Sequence, residues 1–272
     1  MTRSEPLSLA VCGAAGRMGR LLISLAREDP TLRVVGAIEA PGHPAVGQDA
    51  GTTAGGAPLG LAIEGDLTAC LRATPVVIDF TGNPDAAVQH AAVAAEHHLP
   101  LVVGTTGFDA RQREELATLA TRTRSVVAAN FSVGVTVLND LVARAAHLLD
   151  HTFEAEIVEI HHHSKRDSPS GTALALGRAI ASARGLDFDD AACCSREGLV
   201  GARPSNEIGI VALRAGDAVG DHTVVFGGLG ERLELAHRAQ SRECLVRGAL
   251  RAARWVVEQP TGLYSMRDVL GL

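Results

Sequence analysis

Residues 7–29, LSLAVCGAAGRMGRLLISLARED, constrain the fold of this chain more than any other stretch. A short apolar run, LSLAVC, enters the turn GAAGRMG, and the residues after it recur with helical apolar spacing, so the stretch reads as strand, glycine loop and helix. A loop that ends on a helix start presents unpaired amides and a positive dipole end, which suit a pyrophosphate. After Asp29-Pro30, LRVVGAIE reads as a second buried strand, and Glu39 lies at the usual distance, about 20 residues on, for a carboxylate that accepts ribose hydroxyls. The glycine pattern alone also suits a ligand-free turn. The flanking strand, the helix and Glu39 together favour a dinucleotide.

Alternation continues through PVVIDFT (75–81), a helix across DAAVQHAAVAAEHH, LPLVVGTT (99–106), a helix from Ala110 to about Thr121, and SVVAANF (125–131). Apolar strands separated by helices imply a parallel sheet covered on both faces. From about Phe153 the texture changes. EAEIVEIHHH, GIVALRAG and DHTVVFGG alternate like strands with one wet face, and TALALGRAIASARG interrupts them as a helix. The expected fold is α/β: a Rossmann-like doubly wound parallel-sheet domain plus a smaller α+β domain with an open mixed or antiparallel sheet. The expected boundaries are 1–131 together with 243–272 for dinucleotide binding, the last segment being a long amphipathic helix, and 132–242 for substrate binding and oligomerisation.

Composition limits the partners. A net charge of −6 disfavours general attraction to nucleic acid or acidic membranes. No stretch approaches the roughly 20 apolar residues of a membrane span, and the apolar run at 7–12 leads into a glycine turn rather than a leader cleavage site. Five cysteines without CxxC or zinc-ligand spacing read mostly as small buried hydrophobes in a reducing compartment. A cytoplasmic protein with a small-molecule substrate, no metal and neither nucleic acid nor membrane as partner is expected.

Of 25 lysines and arginines only Lys165 is lysine, and it stands in HHHSKRDSPSGTA, residues 161–173. Arginine holds its proton too firmly to deliver it, whereas lysine is a compact donor whose proton can leave. A lysine kept beside three histidines is therefore a candidate for chemistry, although an exposed relic would look the same. Ser168-Pro169-Ser170-Gly171-Thr172 precedes an apolar-periodic run, the form of a helix start with hydroxyl caps and amides open to a carboxylate. His162 and Lys165 beside that start suit a small acid with two carboxylates. Alternation would put His161 and His163 on one strand face and His162 on the other, unless the strand ends there.

Two further turns fall at strand ends, Phe80-Thr81-Gly82 and Gly104-Thr105-Thr106-Gly107, where open α/β sheets collect ligands. The glycines in the second allow backbone to approach a flat ring. Glu39 would repel a 2′-phosphate, no lysine or arginine lies between Arg33 and Arg72, and only Arg17 is placed to reach an adenosine phosphate, so NADH is preferred over NADPH, with dual use open.

These motifs, GAAGRMGR, DFT, GTTGF, NFSVGV, EIHHHSKRDSPSGTAL and LRAGDAVGDH, resemble in order those of the dihydrodipicolinate reductases, also called 4-hydroxy-tetrahydrodipicolinate reductases, of the bacterial lysine pathway. The resemblance implies cofactor contacts at Gly13, Ala14, Ala15, Gly16, Arg17, Met18, Glu39, Gly104, Thr105, Thr106, Ala128, Ala129, Asn130 and Phe131. It implies His161 as acid/base and Lys165 as proton donor, with His162, Ser170, Gly171 and Thr172 on the substrate carboxylates and Thr106 also touching substrate. It further implies a homotetramer built through the second domain's sheet. Ala40 stands where some members carry an arginine for the 2′-phosphate, which agrees with NADH, and Ser164 replaces a histidine of some members. A nicotinamide-dependent reductase of another small dicarboxylate, or a silent dinucleotide sensor, are the competing readings.

Overall fold

The computed structural model describes residues 5–272. The first four residues, which the sequence reading counts in the first domain and in its leaderless N-terminus, lie outside them. In chain order the strands are β1 (Leu7–Cys12), β2 (Leu32–Ile38), β3 (Val76–Asp79), β4 (Leu101–Val103), β5 (Arg124–Val127), β6 (Glu154–His161), β7 (Ala192–Cys193), β8 (Ile208–Arg214), β9 (Gly220–Gly228), β10 (Glu231–Ala239) and β11 (Gly262–Tyr264). The α-helices are α1 (Arg17–Glu28), α2 (Ala50–Thr53), α3 (Pro84–Glu96), α4 (Ala110–Ala120), α5 (Val133–Leu149), α6 (Gly171–Arg184), α7 (Phe188–Ala191), α8 (Glu243–Val256) and α9 (Met266–Leu270). Two compact units emerge among the described residues, 5–132 with 243–272, and 133–242.

The first unit is a six-stranded sheet in the order β11-β5-β4-β3-β1-β2, every pair parallel. The chain leaves β1 towards β2 and then returns to the other side for β3, so the order reverses between β1 and β3. Ligands of open α/β sheets bind at the carboxyl ends of strands on either side of such a reversal. The strands are buried on both faces, as the continuous apolar runs require, and α8 packs beside α1. Helix starts follow local chemistry. Asn83 caps α3 with Pro84 in its first turn, and Asp109 and Gln112 form a capping box on α4.

In the second unit the sheet order is β10-β9-β6-β8-β7, mixed: β6 pairs antiparallel with β9 and parallel with β8. One face carries Ala155, Ile157, Ile210, Val224 and Phe226, which pack with Leu138 and Val142 of α5 and Leu176 and Ile180 of α6. Val211, Leu213 and Leu233 are exposed.

Several elements differ from the sequence reading. The 17-residue α5 has no counterpart in it, because Val133, Val135, Thr136 and Val137 give its start the look of an extended segment. Its buried residues Val135, Leu138, Val142 and Ala146 nevertheless fall on one helical face. The strands at LPLVVGTT and SVVAANF are shorter than expected, ending at Val103 and Val127, so Gly104–Thr106 and Ala128–Phe131 are loops. β6 ends at His161 and residues 163–164 turn, so the strand alternation expected for His161 and His163 does not continue. Cys12 and Cys70 are buried, but Cys193 and Cys244 are half-buried and Cys194 is exposed, so fewer cysteines are core residues than expected. Among the described residues no helix is long and apolar enough to cross a membrane.

Candidate active site

In the first unit, all the residues expected to hold a dinucleotide lie just beyond carboxyl ends of parallel strands. Gly13 takes a positive φ of 82° as the chain leaves β1, and a Cβ there would lie 2.9 Å from Thr81 Cα. A Cβ on Gly19 would stand 2.1 Å from the Gly13 carbonyl oxygen, so only glycine lets α1 seat against the turn. Gly16 caps α1 without a side-chain hydrogen bond and no acidic residue occupies the first turn. Gly16 and Arg17 are exposed there. Uncapped amides at an open helix start fit a pyrophosphate.

Glu39 accepts hydrogen bonds from the Ala15 amide at Oε2 and the Ala40 amide at Oε1, both at 3.0 Å. The carboxylate thus ties the glycine loop to the end of β2. It keeps lone pairs for ribose hydroxyls, since an ionised carboxylate has about four acceptor positions. Gly104 lies against the Phe80 ring, where a Cβ would meet ring carbon at 2.2 Å, and Phe80 in turn packs on Phe131 with centroids 5.5 Å apart. A pocket of about 430 Å³ opens alongside, lined by Thr105, Thr106, Phe108, Arg113, Ala128 and Ala129 among others. The donor set and the close backbone approaches fit a nicotinamide dinucleotide.

Sequence reasoning passed over what lies beneath these loops. Asp79, fully buried, accepts from Thr105 Oγ1 at 2.6 Å and Thr81 Oγ1 at 3.0 Å, and its other oxygen lies 2.6 Å from His90 Nδ1. The Gly82 amide donates to Thr105 Oγ1. The Thr105 side chain is therefore spent on bracing the 80–82 turn, and only its backbone is open to a ligand. Cys12 Sγ lies within 4.8 Å of the ligand atoms of Asp79 and His90, but burial, then the Asp79 charge, push its thiol well above its ordinary value.

In the second unit, three adjacent strands assemble a buried polar cluster. Register pairs His161 with Arg214 across β6 and β8, and Glu159 with His222 across β6 and β9. Glu159 is fully buried. Its Oε2 lies 2.5 Å from His161 Nδ1, and its two oxygens accept from Arg214 Nη1 and Nη2 at 2.9 and 3.0 Å. Its Oε1 also accepts from the Ser170 amide at 2.9 Å. Burial works to raise this carboxyl, but the bonds from Arg214, His161 and Ser170 outweigh it and leave it below the usual carboxylate range. Arg214 also donates to the Asp167 carbonyl at 2.7 Å, which reaches the loop that carries Lys165.

Ser170 caps α6, accepting from the Ala173 amide at 3.1 Å, and its Oγ lies 3.1 Å from His222 Nε2. The His161 and His222 rings meet edge to face with centroids 5.2 Å apart. Gly171 is exposed at the first turn of α6 and Thr172 follows half-buried. Lys165 Nζ pairs with Asp167 Oδ1 at 2.8 Å, and that bond is first among the causes that lower the Asp167 carboxyl. His162 Nδ1 lies 2.8 Å from Ser164 Oγ and its Nε2 3.4 Å from Arg242 Nη2. His163 is exposed on the Gly216 carbonyl, apart from the buried cluster.

Of the expected residues the second unit thus holds His161, His162, Lys165, Ser170, Gly171 and Thr172 on one strand end, one loop and one helix start. Glu159, Arg214 and His222 were missed. A signal existed for the first: Glu159 shares a strand face with Ala155 and Ile157, and a carboxylate on a buried face needs partners.

Comparison with known proteins agrees with both halves. A family model described as dihydrodipicolinate reductase, N-terminus, matches residues 7–131, and one described as dihydrodipicolinate reductase, C-terminus, matches residues 134–270. The 4-hydroxy-tetrahydrodipicolinate reductase of Anaeromyxobacter dehalogenans (strain 2CP-1) is 50% identical over 264 residues, 97% of each chain. That of Syntrophus aciditrophicus is 46% identical over 265 residues, 97% of this chain and 98% of its own. A dipicolinate-bound dihydrodipicolinate reductase from Paenisporosarcina sp. TG-14 superposes with a TM-score of 0.74 at 22% identity, covering 97% of this chain and 98% of its own, a likeness of fold.

Proposed function

The chain belongs to the dihydrodipicolinate reductase family, and from that premise we propose how its residues divide the reduction of 4-hydroxy-tetrahydrodipicolinate to tetrahydrodipicolinate in diaminopimelate and lysine synthesis. The cofactor is a nicotinamide dinucleotide, held by the first unit at Gly13 to Met18, Glu39, Gly104 to Thr106 and Ala128 to Phe131. When bound in reduced form it supplies the hydride.

The rest falls to the second unit. The start of α6, capped by Ser170, offers the amides of Gly171 and Thr172 to one substrate carboxylate, and His162 adds a donor. Addition of hydride to a ring carbon conjugated with C=N, after the 4-hydroxyl leaves as water, builds negative charge on the ring nitrogen side. Lys165 delivers a proton there, and His161 serves as acid/base beside it. The observation that carries this reading is the convergence of His161, Lys165 and the capped start of α6 within one unit, held by buried Glu159 and Arg214.

NADH is the preferred donor in this reading, because Glu39 stands just beyond β2 and Ala40 follows it without a cation for a 2′-phosphate. Oxidation of NADH and NADPH, followed by nicotinamide absorbance with substrate generated in situ by the preceding synthase, tests substrate and donor together. NADH turnover well above NADPH turnover is expected; consumption of neither, with NADH still bound, would put the sensor reading first. Ala40→Arg is expected to improve kcat/KM for NADPH by about tenfold, about 1.4 kcal/mol, near the lower end of what one hydrogen bond to a charged group supplies. An unchanged NADPH/NADH ratio in that variant removes the 39–40 pair from the basis of preference.

The exposed Val211, Leu213 and Leu233 on strands of the second unit support a homotetramer formed through that sheet. A cytoplasmic location accords with cysteines that lack disulfide partners and with a soluble nicotinamide donor.

A further inference from the structure

Glu159 touches none of the atoms that react in this scheme, yet four donors converge on it: the His161 ring, both terminal nitrogens of Arg214 and the Ser170 amide. Each belongs to a different part of the site. His161 is the acid/base, Ser170 opens the carboxylate-binding helix, and Arg214 reaches on to the Asp167 carbonyl in the Lys165 loop. We infer that Glu159 is the positioning residue of the proton-handling half of the site, fixing the His161 tautomer and the helix start together; the inference rests on the roles proposed for His161 and Lys165.

The tautomer follows from the donor inventory. An ionised carboxylate only accepts, so the close contact at His161 Nδ1 requires the hydrogen on Nδ1. Nε2 is then the nitrogen left for chemistry. It faces Gly220, where an added Cβ would lie 2.9 Å from Nε2 and 3.3 Å from Cδ2. Gly220 is buried and its φ is not in the left-handed region, so the need for glycine there is space for the ring edge rather than backbone freedom. The carboxylate pulls the ring from one side and the glycine leaves its other edge unobstructed.

Glu159→Gln separates shape from charge. A carboxamide has one acceptor oxygen and one donor nitrogen, so whichever way it turns, its NH₂ faces either His161 and Arg214 or Ser170 and Arg214. Turned one way it leaves the Nδ1–H tautomer without an acceptor, and turned the other it offers only a neutral one, so the charge that holds the ring is gone either way. In the full-length enzyme kcat is expected to fall by about 100-fold, the scale of positioned proton transfer, while the NADH dissociation constant stays within about twofold. In ¹⁵N-histidine spectra the wild-type His161 resonances, assigned by their loss in His161→Asn, should report a protonated Nδ1 bonded to a carboxylate, and Glu159→Gln should shift the Nδ1 resonance or remove its proton.

Because the buried ion pair with Arg214 is also disturbed, Glu159→Gln can fail to fold. Gly220→Ala removes none of the groups bonded to Glu159 and acts only by pressing on the ring; kcat is expected to drop by about tenfold with NADH binding retained. Wild-type kcat in folded Glu159→Gln or in Gly220→Ala, or an Nδ1 without hydrogen in the wild type, overturns the inference. The two readings part at His161. A fast His161→Asn enzyme removes the proposed role of His161 and this inference with it, whereas a slow His161→Asn beside a fast Glu159→Gln removes only the role of Glu159.

Discussion

Lys165→Arg should bind substrate and NADH much as the wild type does and lose kcat by a factor of about 100 to 1,000, within the range that positioned proton transfer supplies. The substitution keeps the positive charge and a partner for Asp167, whose carboxylate now lies 2.8 Å from Lys165 Nζ. It removes a proton that can leave, because a guanidinium does not give one up near neutrality. The drop should therefore appear in kcat and kcat/KM together, the mark of an interaction made in the transition state. Lys165→Met, which deletes the charge as well, should lose kcat similarly and raise KM in addition. Steady-state rates for the three proteins decide the matter: wild-type kcat in Lys165→Arg would mean that the chain's one lysine steers charge and donates nothing. That outcome would also leave the replacement of every other lysine by arginine without a chemical counterpart here.

Much of this site was legible because its chemistry is local in sequence. The glycine loop, Glu39, and the run from His161 to Thr172 announce themselves through turn residues, a cap and an unusual lysine. What was not legible is held across strands. Glu159 meets His222 and Arg214 meets His161 only through the register of β6 with β9 and β8, which no spacing along the chain reveals. Asp79 is of the same kind: its partners Thr105 and His90 come from the next strand end and from α3.

The segment between β2 and β3 gave no periodicity to read, for a physical reason. Its shape comes from one side chain, Asp49, which accepts from the amides of Thr52, Leu59, Gly60 and Leu61, and those bonds, Thr52's first, pull its carboxyl down to about 2. A loop organised around a carboxylate has no apolar repeat. α5 was lost for the opposite reason, since it is apolar enough but begins with β-branched residues that suit a strand equally well.

His222 links the hidden part of the site to stability. It is 3% exposed, and burial first, then the nearby charge of His161, push it down from 6.5 to about 4, with His237 and Lys165 acting the same way and Glu159 opposing. A charged imidazolium there would also face the positive end of α6 through Ser170. Above pH 6.5 the folded and unfolded chains are both neutral at this residue and its contribution is constant. As pH falls towards 4 the unfolded chain takes up a proton that the folded chain refuses, so stability drops by about 1.4 kcal/mol per pH unit, about 3 kcal/mol across the window. Below about 4 the loss levels off. The half-buried carboxyl of Glu156 and the buried one of Glu159, held below their usual range, add their own losses mainly below pH 4.5. His222→Gln keeps a group that can bond Ser170 Oγ but does not titrate. Urea unfolding from pH 7.5 to 4 should therefore show the wild type losing about 3 kcal/mol more than the variant. Parallel curves would mean that His222 charges in the folded protein as readily as in the unfolded one, and the cluster would then tolerate a buried imidazolium at His222, which its burial opposes.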